Sequence, residues 1–212
     1  MLFSDPIGFL YFIAAILITL TIHEASHALM AYYLGDPTSK HQGRITLNPI
    51  AHLDLIGSIL FLITNFGWGK PVQVNPNNFK HPIRDSALTA LAGPASNLLL
   101  AFALTWPIKY LSNYMPAPLL QFIWILFDLN IVLALFNFFP FPPLDGSKII
   151  GLIVPRRYHR QYLNYLENGM QYFVAIILID VFILRDLFNF SIFGSIIGYL
   201  YDVVRVILFL GT

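Results

Sequence analysis

Runs of apolar residues as long as a bilayer is thick constrain this chain more than any other feature. About 20 apolar residues at 1.5 Å each cross a hydrocarbon core. Five stretches read as long and apolar enough: 7–34, 87–111, 119–154, 170–184 and 191–210. Composition agrees with them. Of 212 residues, 57% are hydrophobic and 11% charged, and the mean hydropathy is +0.69. Soluble domains carry about 25% charge, so an unusually apolar soluble core is the weaker reading.

The third stretch is interrupted by Pro140, Pro142 and Pro143 and is expected to break in two. Broken helices survive at membrane depth only where protein or a wet cavity receives the freed backbone groups. A sixth apolar stretch, 53–66, is short for a span and reads as re-entrant or interfacial. The last stretch carries Asp202 and Arg205, so it either spans or lies on the surface. In 68–76, Val72 and Val74 alternate with polar neighbours between prolines, the pattern of an edge strand. The expected fold class is therefore an all-α membrane protein. It is a polytopic helical bundle of about five to six membrane segments, with one re-entrant or interfacial segment and a short β-strand or hairpin at the membrane edge. Residues 1–212 read as a single domain. No cleavable signal is evident, because the first apolar segment is too long and no basic residue precedes Lys40.

Nine of the twelve basic residues fall on one face of this topology: Lys40, Arg44, Lys70, Lys80, Arg84, Lys148, Arg156, Arg157 and Arg160. The positive-inside rule then places the N-terminus outside and 35–86 in the cytoplasm. No basic patch has the density that nucleic acid requires. There is no cysteine, so any metal must be held by His, Asp or Glu.

The first stretch contains His23-Glu24-Ala25-Ser26-His27. On a helix, residues four apart share a face, so both imidazoles can reach one ion. Glu24 then stands beside the open coordination position, where it can take a proton from water. Two His and a Glu within a lipid-buried helix are costly unless something compensates, and a divalent cation does. The alternatives are a buried hydrogen-bonded cluster, a membrane metal-binding or transport protein, and an inactive scaffold. A catalytic site needs a third ligand, and Asp54, Asp128, Asp145 and Asp180 lie in apolar surroundings. Asp145 stands out, because it follows the proline break, precedes Gly146 and matches the depth of the two histidines. The other three read as polar residues facing the bundle interior.

These pieces resemble the site-2 protease family of intramembrane metalloproteases, peptidase family M50, in a short form without a PDZ or CBS domain. The resemblance rests on His23 to His27, Gly35-Asp36-Pro37-Thr38, Gly43-Arg44 to Asn48-Pro49, Gly67-Trp68 to Asn75-Pro76, Ala92-Gly93-Pro94 to Asn97, and Asn137 to Gly146. It implies one Zn2+ per chain on His23, His27 and Asp145, with Glu24 as general base. It also implies hydrolysis of transmembrane protein substrates in the bilayer, as in regulated intramembrane proteolysis, and a multi-pass place in the cell (inner) membrane. The cleft is expected to open toward the cytoplasm, and a homo-oligomer is compatible with all of this. Asn137 and Asn97 are candidate oxyanion or substrate-binding residues, or helix–helix hydrogen-bonding groups. Gly93 reads as a close-packing position. Val72, Gln73, Val74 and Asn75 are the candidate strand for pairing with unwound substrate.

Overall fold

The computed structural model describes residues 5–64 and 67–210, with side chains for all of these except 61–64. Asn65 and Phe66, the end of the expected short segment, lie outside the described residues. The α-helices are α1 Pro6–Tyr33, α2 Thr38–His41, α3 Leu55–Thr64, α4 Pro82–Tyr110, α5 Ala117–Asn137, α6 Asp145–Ile149, α7 His159–Leu178, α8 Asp186–Phe188 and α9 Ile192–Leu210. A π-helix, Ile179–Arg185, joins α7 to α8.

Local chemistry sets the ends of α1. The Asp5 side chain accepts from the Gly8 N–H at 2.9 Å, and Pro6 opens the first turn, where a missing N–H is harmless. The helix stops at Gly35, whose φ of +106° side chains rarely adopt. Its 28 residues run about 42 Å at the standard rise, enough to cross a bilayer. α1, α4 and α5 pack together, and α9 packs on α5 and α4. There Phe127, Ile131 and Ala101 are fully buried, and Phe209 of α9 stacks on Trp124 at 6.0 Å. Outward positions stay apolar, with Leu99 69% and Ile207 60% exposed, as lipid-facing surface should be.

Among the described residues four helices are long and apolar enough to span a membrane: α1, α4, α5 and α9. Five to six segments were expected, and two reasons account for the difference. The 53–66 stretch gives only the ten-residue α3, about 15 Å long. The 170–184 stretch sits across α7 and the π-helix, and the first turns of α7 carry His159, Arg160, Asn164 and Glu167.

The proline break occurs as expected. α5 ends at Asn137 and a new helix begins at Asp145. Phe139 and Phe141 of the turn pack on Leu144, Phe173 and Phe193, which fixes the loop against α7 and α9. Gly146 is needed for close approach, since a Cβ there would lie 2.3 Å from the Phe138 and Phe139 carbonyl oxygens.

The expected edge strand does not form. Among the described residues the one β contact is an isolated antiparallel bridge between Leu53 and Gly69. Side chains have taken the backbone groups a strand would use. The Val72 N–H donates to Glu24 Oε2 at 2.9 Å and the Asn75 N–H to Asp36 Oδ2 at 2.7 Å. Arg44 donates to the Lys70 carbonyl, and Pro71 and Pro76 have no N–H to give.

Candidate metal centre

Thr19, His23 and His27 follow one another at four-residue intervals along one face of α1. On α4, Thr89, Gly93 and Asn97 make a matching stripe, and the two stripes face each other. His23 Nδ1 lies 2.6 Å from Asn97 Oδ1, and His27 Nδ1 donates to the Thr89 carbonyl at 2.7 Å. The Nε2 atoms of both rings then point at one place. They are 3.0 Å apart, and Asp145 Oδ2, at the start of α6, lies 3.2 Å from His23 Nε2 and 3.1 Å from His27 Nε2. All three residues are no more than 9% exposed.

This triangle fits one metal ion. Bonds of about 2.0–2.1 Å in tetrahedral geometry separate ligand atoms by about 3.3 Å. Three lone pairs, two neutral and one anionic, form a borderline-soft donor set suited to zinc. Gly93 forms the floor. A Cβ there would meet His27 Nε2 at 2.4 Å and His23 Cε1 at 2.7 Å, so only glycine leaves both imidazoles where they stand. The packing role expected of Gly93 is thus directed at the two imidazoles themselves. Among the described residues, His23, His27 and Asp145 are the one such group able to hold a metal.

The triangle opens into a cavity of about 210 Å³, whose lining includes Glu24, Val72, Val74, Asn137 and Lys148. Glu24 sits outside the ligand group, with one carboxylate oxygen held by the Val72 N–H at 2.9 Å. Asn137 spends one amide N–H on the Leu133 carbonyl at 3.0 Å and reaches the cavity. Asn97 does not. It stands behind His23, and its amide nitrogen is engaged by the Thr19 carbonyl at 3.2 Å and Asn130 Oδ1 at 2.8 Å.

The remaining carboxylates have other work. Asp54 accepts from the Gly57 N–H at the start of α3. Asp180 takes the Ile192 N–H and Ser191 hydroxyl, both at 2.6 Å, and so caps α9. Asp128 accepts from Tyr201. His52 donates to the Thr46 carbonyl and His159 to Val154, while His41 and His81 are exposed.

The 70–78 segment is strapped to the end of α1. Asp36, fully buried, accepts from the Thr38 N–H, the Thr38 hydroxyl, the Asn78 amide and the Asn75 N–H. Burial raises its pKa, but these hydrogen bonds outweigh that and hold it below the usual carboxylate range. Burial also lowers the pKa of Arg44, opposed by the charge of Glu24. Thr89, Asn130, Thr19 and Lys148 were not read as site residues from sequence. Of these, Thr19 carried a signal, its four-residue spacing with His23 and His27.

A profile of peptidase family M50 matches residues 107–180. YwhC of Bacillus subtilis (strain 168), provisionally named a zinc metalloprotease, is 45% identical over 152 residues, 68% of this chain and 69% of YwhC. The chain belongs to peptidase family M50. It is a membrane metalloprotease. Rip2 of Mycolicibacterium smegmatis, named in the same provisional way, is 31% identical over 142 residues, 65% of this chain and 55% of Rip2. MJ0611 of Methanocaldococcus jannaschii matches a shorter piece, 42% identical over 62 residues, 29% of this chain and 31% of MJ0611. No solved structure shows significant similarity.

Proposed function

We propose that this membrane zinc metalloprotease holds one Zn2+ on His23, His27 and Asp145 and hydrolyses peptide bonds in or beside transmembrane segments of membrane proteins. When bound, zinc supplies Lewis acidity, which polarises the scissile carbonyl and makes water a stronger nucleophile. Glu24 accepts the proton as water oxygen bonds to the carbonyl carbon. It then returns that proton to the amide nitrogen as the C–N bond breaks, leaving a carboxylic acid and an amine, and the acid's proton passes to the amine to give carboxylate and ammonium. Asn137 offers its second amide N–H to the oxygen that gains charge.

The cleft selects for unwound substrate. A helix has its backbone groups bonded internally, so its carbonyls resist attack. An extended backbone can enter along Val72–Asn75 and hydrogen-bond to the Gln73 and Val74 backbone between the two N–H groups that Glu24 and Asp36 hold. Residues 1–212 act as one domain, multi-pass in the cell membrane, with the N-terminus external and the cleft open to the cytoplasm. That orientation rests on the clustered basic residues. Cleavage of this kind releases part of a membrane protein, as regulated intramembrane proteolysis requires.

The observation that carries this reading is the Nε2–Nε2–Oδ2 triangle with Glu24 outside it, lining the same cavity. The test mixes purified wild type and Glu24→Gln with a membrane-spanning substrate and follows fragments and zinc content. Gln keeps an oxygen for the Val72 N–H but cannot take a proton. Zinc is expected to stay near one per chain while cleavage falls by about 10²–10⁴-fold. Zinc-loaded Glu24→Gln cleaving as fast as wild type sinks the mechanism, and loss of zinc makes Glu24 a ligand instead.

A further inference from the structure

We propose that Asn97 and Asn130 form a buried amide relay that turns the His23 ring so that its Nε2 lone pair faces the metal. Asn97 and Asn130 are therefore positioning residues, and the proposal rests on the metal reading above.

The relay has a fixed direction because backbone carbonyls anchor it. Asn130 lies 2.7 Å from the Leu126 carbonyl, which can only accept, so the Asn130 atom there is its NH2 group. The same nitrogen donates to the Thr19 hydroxyl at 2.9 Å. The Asn130 oxygen must then face Asn97, 2.8 Å away. Asn97 answers with its own NH2 group, which also donates to the Thr19 carbonyl at 3.2 Å. That leaves the Asn97 oxygen against His23 Nδ1 at 2.6 Å. An amide oxygen only accepts, so Nδ1 carries the hydrogen, and in the neutral ring Nε2 keeps its lone pair.

Reversing either amide would set an oxygen against a carbonyl oxygen and orphan the donors. Burial makes that costly, since Asn97 and Asn130 are 0% exposed and Thr19 is 1% exposed. The relay joins α1, α4 and α5, so the packing of three helices decides which His23 nitrogen is free. His27 needs no relay, because a backbone carbonyl, that of Thr89, fixes its ring directly.

The experiment uses the full chain in detergent. Zinc affinity is measured by competition with a chromophoric chelator, and imidazole ¹⁵N shifts are recorded on metal-free protein. The variants are Asn97→Leu, Asn130→Leu and the double substitution. Loss of an outer partner typically costs 10–100-fold in metal affinity, so Asn97→Leu is expected to fall near the upper part of that range and Asn130→Leu near the lower. Asn130 acts only through Asn97, so the double variant should match Asn97→Leu rather than multiply the two losses. Metal-free wild type should give the Nδ1–H signature for His23, and Asn130→Leu should blur it. Multiplying losses, or an Asn130→Leu chain with unchanged affinity and unchanged ¹⁵N shifts, overturns the relay. Should Asn97→Leu not fold, Asn130→Leu decides alone by the same two readouts. If wild-type zinc affinity proves independent of His23, the metal reading fails, and the metal-free ¹⁵N signature still decides the relay.

Discussion

Gly93→Ala tests the proposed metal centre without replacing His23, Glu24, His27 or Asp145. The added Cβ would lie 2.4 Å from His27 Nε2 and 2.5 Å from His27 Cε1, where ordinary contact begins near 3.4 Å. The His27 ring or the α4 backbone must therefore yield by about 1 Å. Metal–ligand distances tolerate only about 0.2 Å, so the displacement is about five times what coordination allows. Overpacking of this kind costs about 1–3 kcal/mol in stability, partly offset by the better helix propensity of Ala. The fold should persist while zinc affinity falls by more than the roughly 10–100-fold typical of disturbing an outer partner. Gly198→Ala is the control, because a Cβ there meets nothing within 4 Å. Zinc competition and helix content are measured on both variants. A folded Gly93→Ala chain that holds zinc as tightly as wild type would refute the reasoning.

Gln73→Pro and Gln73→Ala both lose the side-chain bond to Gln42, but only proline removes the backbone N–H. Gln73→Pro should cleave more slowly than Gln73→Ala at equal zinc content, and equal rates would remove the pairing role of Val72–Asn75. The pKa of Asp36 is lowered on folding, so its contribution to stability is complete above the unfolded value of about 4 and fades as pH falls toward the folded one. The gap in thermal midpoint between wild type and Asp36→Asn should narrow below about pH 4, and a constant gap would contradict the assignment. For topology, His41→Cys and Asn113→Cys, both exposed, should label from opposite sides of the membrane. Ser39 would serve badly, being fully buried with its hydroxyl on the Ala28 carbonyl.

What the sequence made legible was whatever one helix or one break encodes alone. His23, Glu24 and His27 lie within a single turn or so of α1. Asp145 was marked by the prolines that stop α5, and the apolar runs gave the cores of α1, α4, α5 and α9. What escaped depends on register between helices. Asn130 reads as one more polar residue in a span until α5 is set against α1 and α4. The Thr89 carbonyl acts through the backbone and has no residue-type signal. The strand expectation failed for a related reason. Alternation at Val72 and Val74 says which side chains share a face, but not that Glu24 and Asp36 would claim the N–H groups of Val72 and Asn75.

The candidate ligands His27 and Asp145 are separated by 118 positions, and this has a consequence for biogenesis. A nascent chain that has delivered α1 to the bilayer presents two imidazoles and a carboxylate, but not Asp145. That residue arrives only after α4 and α5 have entered and the turn at Pro140 to Pro143 has brought α6 back to the same depth. The machinery that inserts the chain therefore faces no complete triangle until α6 has followed α1, α4 and α5 into place. The order of the segments thus delays the assembled triangle until α1, α4, α5 and α6 have come together.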